Sequence, residues 1–201
     1  MIVIIDYGVG NHGSLVNMFS HINVEAMISS NRNEILMADK IVLPGVGSFD
    51  VGMDKLVKAD LLDTIEEASL HLEKPTLGIC LGMQLMTRSS EEGKLKGLGW
   101  INAETKVIPR NPDFKVPHMG WNYLTIEKES ELLIGFNNEA KFYFVHSFYV
   151  KCHLPGNCVA KTTHCIGMDT VIQNKNLYGV QFHPEKSHKF GMRLLQNFAL
   201  L

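Results

Sequence analysis

The first half of this chain constrains the fold most, because short apolar runs alternate there with longer amphipathic stretches. Ile2–Asp6, Val24–Ile28, Lys40–Leu43 and Thr76–Ile79 read as buried strands. Between them, Ser14–His21 carries Leu15, Met18 and Phe19 on one helical face. Asp60–Leu72 carries Leu61, Leu62, Ile65, Ala68 and Leu72 at helical spacing, and Leu81–Arg88 reads as a further helix. Strand–helix alternation predicts a parallel sheet covered on both faces. After about Gly97 the rhythm changes. Glu104–Ile108, Trp121–Ile126, Lys141–Val145, Phe148–Lys151, Asn157–Thr163, Thr170–Asn174 and Leu177–Phe182 are strand candidates, and Lys186–Leu200 is a closing helix. The expectation is one α/β domain over 1–201: a mostly parallel central sheet flanked by helices, flavodoxin-like, with additional antiparallel strands in its second half.

Bulk properties exclude several classes. The chain has 201 residues, 45% hydrophobic and 20% charged, with a formal net charge of −2. That composition is ordinary for a globular protein and leaves no basic footprint for a nucleic acid. No apolar run approaches the roughly 18 residues of a membrane span. Met1–Asp6 is apolar but too short for a secretory signal and has no basic start, so a cytoplasmic protein is expected. Four cysteines do not make a disulfide framework, and reduced thiols are expected.

One of those thiols sits in a specific setting. Gly78-Ile79-Cys80-Leu81-Gly82 spans a strand-to-helix junction in the G-x-nucleophile-x-G pattern, with cysteine as the nucleophile. A sharp turn there strains the backbone of residue 80 and leaves no room for side chains two positions either side. The helix start would also favour a thiolate. A cysteine packed at a strand end, with glycines for close packing, would carry the same letters. A thiolate needs a base, and the base an orienter. His183, in Gly179-Val180-Gln181-Phe182-His183-Pro184-Glu185, follows an apolar strand, so it and Cys80 can meet at the carboxyl edge of a parallel sheet. Glu185, two residues on, shares a face with His183 if the segment is extended. A surface turn capping a helix is the plainer alternative. Pro44-Gly45-Val46-Gly47 follows a strand and can present backbone N–H groups, around Val46 and Gly47, to an oxyanion. The other donor would be Leu81.

Two patterns point elsewhere and are set aside. Gly8-Val9-Gly10-Asn11-His12-Gly13 matches the dinucleotide G-x-G-x-x-G letters, but no carboxylate ends the second strand at Ile28-Ser29-Ser30-Asn31. Cys152, His153, Cys158, His164 and Cys165 cluster in sequence without a C-x-x-C pair, on strand candidates where alternate side chains diverge, so no metal is expected.

Taken together, these segments resemble the class I glutamine amidotransferases. The closest group is the glutaminase subunits of imidazole glycerol phosphate synthase. The resemblance runs through Ile4–Asn11, Leu43–Phe49, Gly78–Leu85, Gly97–Trp100, Pro117–Asn122, Tyr143–Ser147 and Gly179–Ser187. It implies a Cys80–His183–Glu185 triad releasing ammonia from L-glutamine, with no cofactor, and an oxyanion hole at Val46, Gly47 and Leu81. Gly47, Gln84, Ser147 and Phe148 would hold the substrate; the family commonly has tyrosine at the position of Phe148. It further implies a heterodimer with a (β/α)8 cyclase subunit in histidine biosynthesis, approached by Trp121, Tyr143, His146 and Lys186. A paralogous branch, suggested by Thr87–Gly93 and Gly97–Ile101, serves amidation of surface-polysaccharide sugars. A cysteine hydrolase or peptidase on a similar elbow is the alternative from another class.

Overall fold

A computed structural model describes all of residues 1–201. Its elements are β1 (Ile2–Ile5), α1 (His12–His21), β2 (Ala26–Ser29), α2 (Arg32–Met37), β3 (Lys40–Leu43), α3 (Phe49–Lys58), α4 (Leu62–Glu66), β4 (Thr76–Ile79) and α5 (Leu81–Leu85). The second half adds β5 (Ala103–Val107), β6 (His118–Tyr123), β7 (Thr125–Ile126), β8 (Lys141–His146), β9 (Phe148–Cys152), β10 (Cys158–His164), β11 (Ile166–Asn174), β12 (Leu177–Val180) and α6 (His188–Leu200).

One sheet of ten strands runs β2-β1-β3-β4-β12-β11-β10-β7, with β9 joining β11 and β5 pairing with β9. Neighbours from β2 to β12 are parallel; β11, β10 and β7 continue antiparallel. A separate ribbon pairs β6 with β8. The strand parity explains the core. In β1, Ile2 and Ile4 join the cluster under α1 and α6, with Phe19, Phe142, Phe182, Leu194 and Phe198. Val3 and Ile5 join the opposite cluster, with Ile35, Phe49, Leu56, Ile65 and Leu81 from the other helices. Because both faces are covered, β1, β4 and β12 are buried along their whole length.

Three expectations are revised. The predicted helix Asp60–Leu72 begins only at Leu62, because Asp60 has φ +54, and it ends in a π turn over Glu67–His71. The candidate strand Trp121–Ile126 is two strands in different sheets, β6 and β7, separated by the buried Leu124. Helices α2 and α3 occupy connections the sequence reading left open. In α3, the buried face is Phe49, Gly52, Met53 and Leu56, and the absence of a side chain at Gly52 admits Leu81 and Leu85 of α5.

Candidate active site

Cys80 is where β4 stops and α5 starts. Its backbone sits at φ +53, ψ −108, a conformation that costs an L-residue of order 1–3 kcal/mol. The surroundings impose it. A Cβ on Gly82 would lie 1.8 Å from the Leu43 carbonyl oxygen at the end of β3, and one on Gly78 would lie 2.7 Å from the Met83 nitrogen. The turn is therefore closed on both sides by backbone. The Cys80 N–H donates to the Val180 carbonyl at 2.8 Å, tying the elbow to the end of β12.

That tie brings the distant residues together. β4 and β12 are parallel neighbours in register Ile79↔Val180, so the segments leaving both strands emerge side by side. His183 is 2% exposed, and its Nδ1 lies 2.8 Å from Glu185 Oε1. The Glu185 side chain is itself 2% exposed, and its Oε2 has no hydrogen-bond partner. Their approach arises differently from the extended segment expected. Pro184–Lys186 forms a 3₁₀ turn that folds the carboxylate back beneath the ring. With Nδ1 taken, Nε2 is the nitrogen left for Cys80. Burial alone would pull His183 down, but Cys80 and Glu185 together outweigh it and raise the imidazole to about 10. The site thus favours a proton on His183 facing the sulfur.

Cys80 and His183 border a cavity of about 370 Å³, at the small end for small-molecule sites, with Glu185 behind the imidazole. Val46, Gly47, Leu81, Gln84, Ser147 and Phe148 line it, so every residue expected at the oxyanion hole or the substrate is gathered there. Their hydrogen bonds qualify those roles. The Leu81 N–H donates to the Gly45 carbonyl at 3.3 Å, so this oxyanion donor is engaged within the loop. The N–H groups of Val46 and Gly47 donate to no protein acceptor; Gly47 holds φ +102, which its missing Cβ permits. The Ser147 carbonyl accepts from Ile108 N–H. The Phe148 carbonyl accepts from Gln84 Nε2 at 3.1 Å and His146 Nδ1 at 2.9 Å.

His146 does not face outward as expected. Alternation along β8 turns Phe142, Phe144 and His146 inward, and His146 is 6% exposed. Because its Nδ1–H is committed to a carbonyl, its Nε2 accepts from His118 Nδ1 at 2.9 Å, and His118 Nε2 accepts from Asn122 Nδ2 at 3.1 Å. Burial, foremost, holds both imidazoles down, His118 to about 3 and His146 to about 4, so this directed chain carries no charge. The other three expected surface residues do face outward. Trp121 is 43% exposed, stacks on His188 with centroids 5.5 Å apart, and meets Tyr143 edge-on. Lys186 and Lys141 lie 5.8 Å over the rings of Tyr143 and Trp121.

Sequence reasoning missed three residues here. Tyr7, buried on the far side of the loop, donates its hydroxyl to the Pro44 carbonyl at 2.5 Å and pins it. Glu92 lines the cavity and accepts from the Phe49 N–H at 2.8 Å. Gln181 donates to the Cys80 sulfur from Nε2 at 3.7 Å. Only Gln181 left a signal, a buried-strand position occupied by an amide. Cys152 and Cys158 lie elsewhere, with thiols pushed up mainly by burial, Cys158 to about 12.

Comparison with known proteins gives one consistent result. The family model described as "Glutamine amidotransferase class-I" matches residues 3–201. Imidazole glycerol phosphate synthase subunit HisH 2 of Methanococcus maripaludis is 48% identical, over 98% of both chains. The protein of the same name from Pseudomonas aeruginosa is 44% identical over 100% of both. Subunit HisH of Bdellovibrio bacteriovorus is 41% identical over 99% of both. Among solved structures, PurLQS from Thermotoga maritima superposes with a TM-score of 0.75 at 17% identity, over 98% of this chain and 96% of that one. A structure titled as a glutamine amidotransferase gives 0.75 at 14% identity over the full length of both. At such identities the likeness is one of fold.

Proposed function

The chain belongs to the class-I glutamine amidotransferase family, and on that premise we propose that it is the glutaminase subunit of an imidazole glycerol phosphate synthase. It would pass ammonia from L-glutamine to a (β/α)8 cyclase subunit in a heterodimer. The reading is supported by the names of its relatives, and it rests on one observation above the rest. Residues 80 and 183 meet at a cavity, with the imidazole bonded at 2.8 Å to the Glu185 carboxylate behind it and raised by that carboxylate and the sulfur together.

The chemistry follows from that pairing. Cys80 attacks the carbon of the glutamine side-chain amide as thiolate, and the carbonyl electron pair moves onto oxygen. The C–N bond then breaks, and His183 delivers its proton to the leaving nitrogen, releasing ammonia and leaving a γ-glutamyl thioester. Neutral His183 takes a proton from water as that water adds to the thioester. Collapse expels the Cys80 thiolate, glutamate leaves, and imidazolium and thiolate are restored. Glu185 keeps the proton-bearing nitrogen of His183 toward itself and steadies the cation. Gln84 has both N–H groups committed, to Phe148 O and Gln181 Oε1, so its Oε1 is what it offers to donors on the substrate. The oxyanion donors belong to Val46, Gly47 and Leu81. Because Leu81 N–H is held by Gly45 O, turning the Gly45–Val46 peptide would free Leu81 and swing the Val46 N–H inward together. Partner docking would bias that loop between two states.

Cys80→Ala is the direct test. Glutamine-dependent turnover in the complex should fall by at least about 10³-fold, while synthesis from added ammonia persists. Loss of both activities would assign Cys80 a structural role. A second acceptor has one observation behind it, the segments Thr87–Gly93 and Gly97–Ile101, which resemble a paralogous branch. In that reading the ammonia amidates a surface-polysaccharide sugar through another synthase. Pairing the chain with each candidate synthase and measuring glutamine-driven product formation separates the two.

A further inference from the structure

Gln181 takes no part in the steps above, yet it is fully buried and touches the reacting atom. It follows β12 directly, and the pairing of Val180 with Ile79 sets it against the elbow. Its own N–H is held by the Thr170 carbonyl at 2.9 Å, so the backbone there is anchored. The side chain bridges two parts of the site. Nε2 donates to Cys80 Sγ at 3.7 Å, the one side-chain hydrogen bond to this sulfur with regular geometry, while Oε1 accepts from Gln84 Nε2 at 3.1 Å.

The pattern fixes the direction of both amides. Turning Gln84 over would set its oxygen against the Phe148 carbonyl and the Gln181 oxygen. Turning Gln181 over would set donor against donor at Gln84 and oxygen against the sulfur. A buried amide is costly unless bonded, so the arrangement is held by what each group would lose on leaving it. A run of three groups results: Phe148 carbonyl, Gln84 amide, Gln181 amide, ending in an N–H aimed at sulfur.

We infer that Gln181 is a positioning residue for the nucleophile, its Nε2–H stabilising and aiming the Cys80 thiolate and linking it to Gln84 at the substrate. The inference deepens, and rests on, the glutaminase reading. A thiolate accepts such a bond far better than a thiol, so the donor favours ionisation and restricts the sulfur's direction. Because Gln84 faces the cavity with its remaining oxygen, a donor arriving there polarises the same run.

The experiment measures alkylation of the full chain by iodoacetamide from pH 5 to 10, reading label on each cysteine by mass spectrometry. Gln181→Met keeps the volume and removes the donor. Its Cys80 midpoint should rise by about one pH unit, an approximately tenfold slower reaction below the midpoint. Gln181→Glu keeps the oxygen that serves Gln84 and places a carboxylate beside the sulfur, and its midpoint should rise further. A packing role alone would lower the melting temperature and leave the midpoint in place. A folded Gln181→Met with the wild-type midpoint overturns the inference; should that variant not fold, Gln181→Leu, which also lacks the donor and adds no charge, decides it by the same reading. Wild-type Cys80 labelling no faster than Cys152, Cys158 and Cys165 would instead sink the glutaminase reading itself.

Discussion

At the residue scale, folding raises His183 well above its ordinary value. Its folded value near 10 stands above its ordinary value of 6.5, so the folded chain holds this proton more tightly. The stability it lends is fully present below about pH 6.5 and is lost as pH rises through about 10. Glu185→Gln removes one of the two groups that raise it. The His183 midpoint should then fall when followed by NMR titration, and glutamine turnover should drop by about 10²–10⁴-fold. An unmoved midpoint would mean that Glu185 does not govern this ring. Cys80, His183 and Glu185 were legible in the chain because glycines, proline and strand ends mark their positions. Glu185 was reached through an assumed extended segment, whereas the 3₁₀ turn over Pro184–Lys186 is what delivers it. Gln181 lay inside the same motif and went unread, since an amide in an apolar strand does not announce which atom it will meet.

At the scale of elements, the elbow depends on β3 as much as on its own strand and helix. Gly82→Ala drives a Cβ into the Leu43 carbonyl, a contact between backbones that no side-chain rotation relieves. Destabilisation of about 3 kcal/mol or more is expected in chemical denaturation; a loss under about 1 kcal/mol would show that the two segments can part. The ribbon β6–β8 carries the neutral His118–His146 pair. Their folded values, near 3 and 4, lie below the unfolded value of 6.5, so between about pH 4 and 6.5 only the unfolded chain binds these protons. Stability is present above about 6.5 and declines as pH falls through that window. Replacing both residues by glutamine should flatten the fall in melting temperature between pH 7 and 5; an identical slope would count against this pair as its source. Helix α3 shows why element reading was incomplete. Its apolar spacing is regular, but Gly52 interrupts it, and only the approach of Leu81 and Leu85 explains a glycine there.

For the molecule as a whole, the ribbon joins two surfaces. His146 faces the cavity, while Met119, Trp121 and Tyr123 face outward on the opposite side of the ribbon, with exposures of 62%, 43% and 56%. A contiguous apolar face with lysines over its rings suits a protein partner carrying carboxylates. Trp121→Ser should weaken binding of the proposed cyclase subunit by about tenfold or more while leaving the melting temperature of the free chain unchanged. A lower melting temperature with unchanged affinity would make Trp121 a structural residue. No helix is long and apolar enough to cross a membrane.

What the amino-acid order determined by itself was whatever is encoded within a few neighbouring residues: the parallel strand–helix rhythm, the glycine-flanked Cys80 and the pairing of His183 with Glu185. Apolar periodicity and backbone sterics act locally, so they can be read without knowing what lies across the sheet. The tertiary structure decided which strands are neighbours. It set β4 beside β12, split Trp121–Ile126 between two sheets, turned His146 inward, engaged Leu81 N–H with Gly45 O and aimed Gln181 at the sulfur. Those outcomes depend on register and face, which a long-range pairing sets and a one-residue slip would reverse.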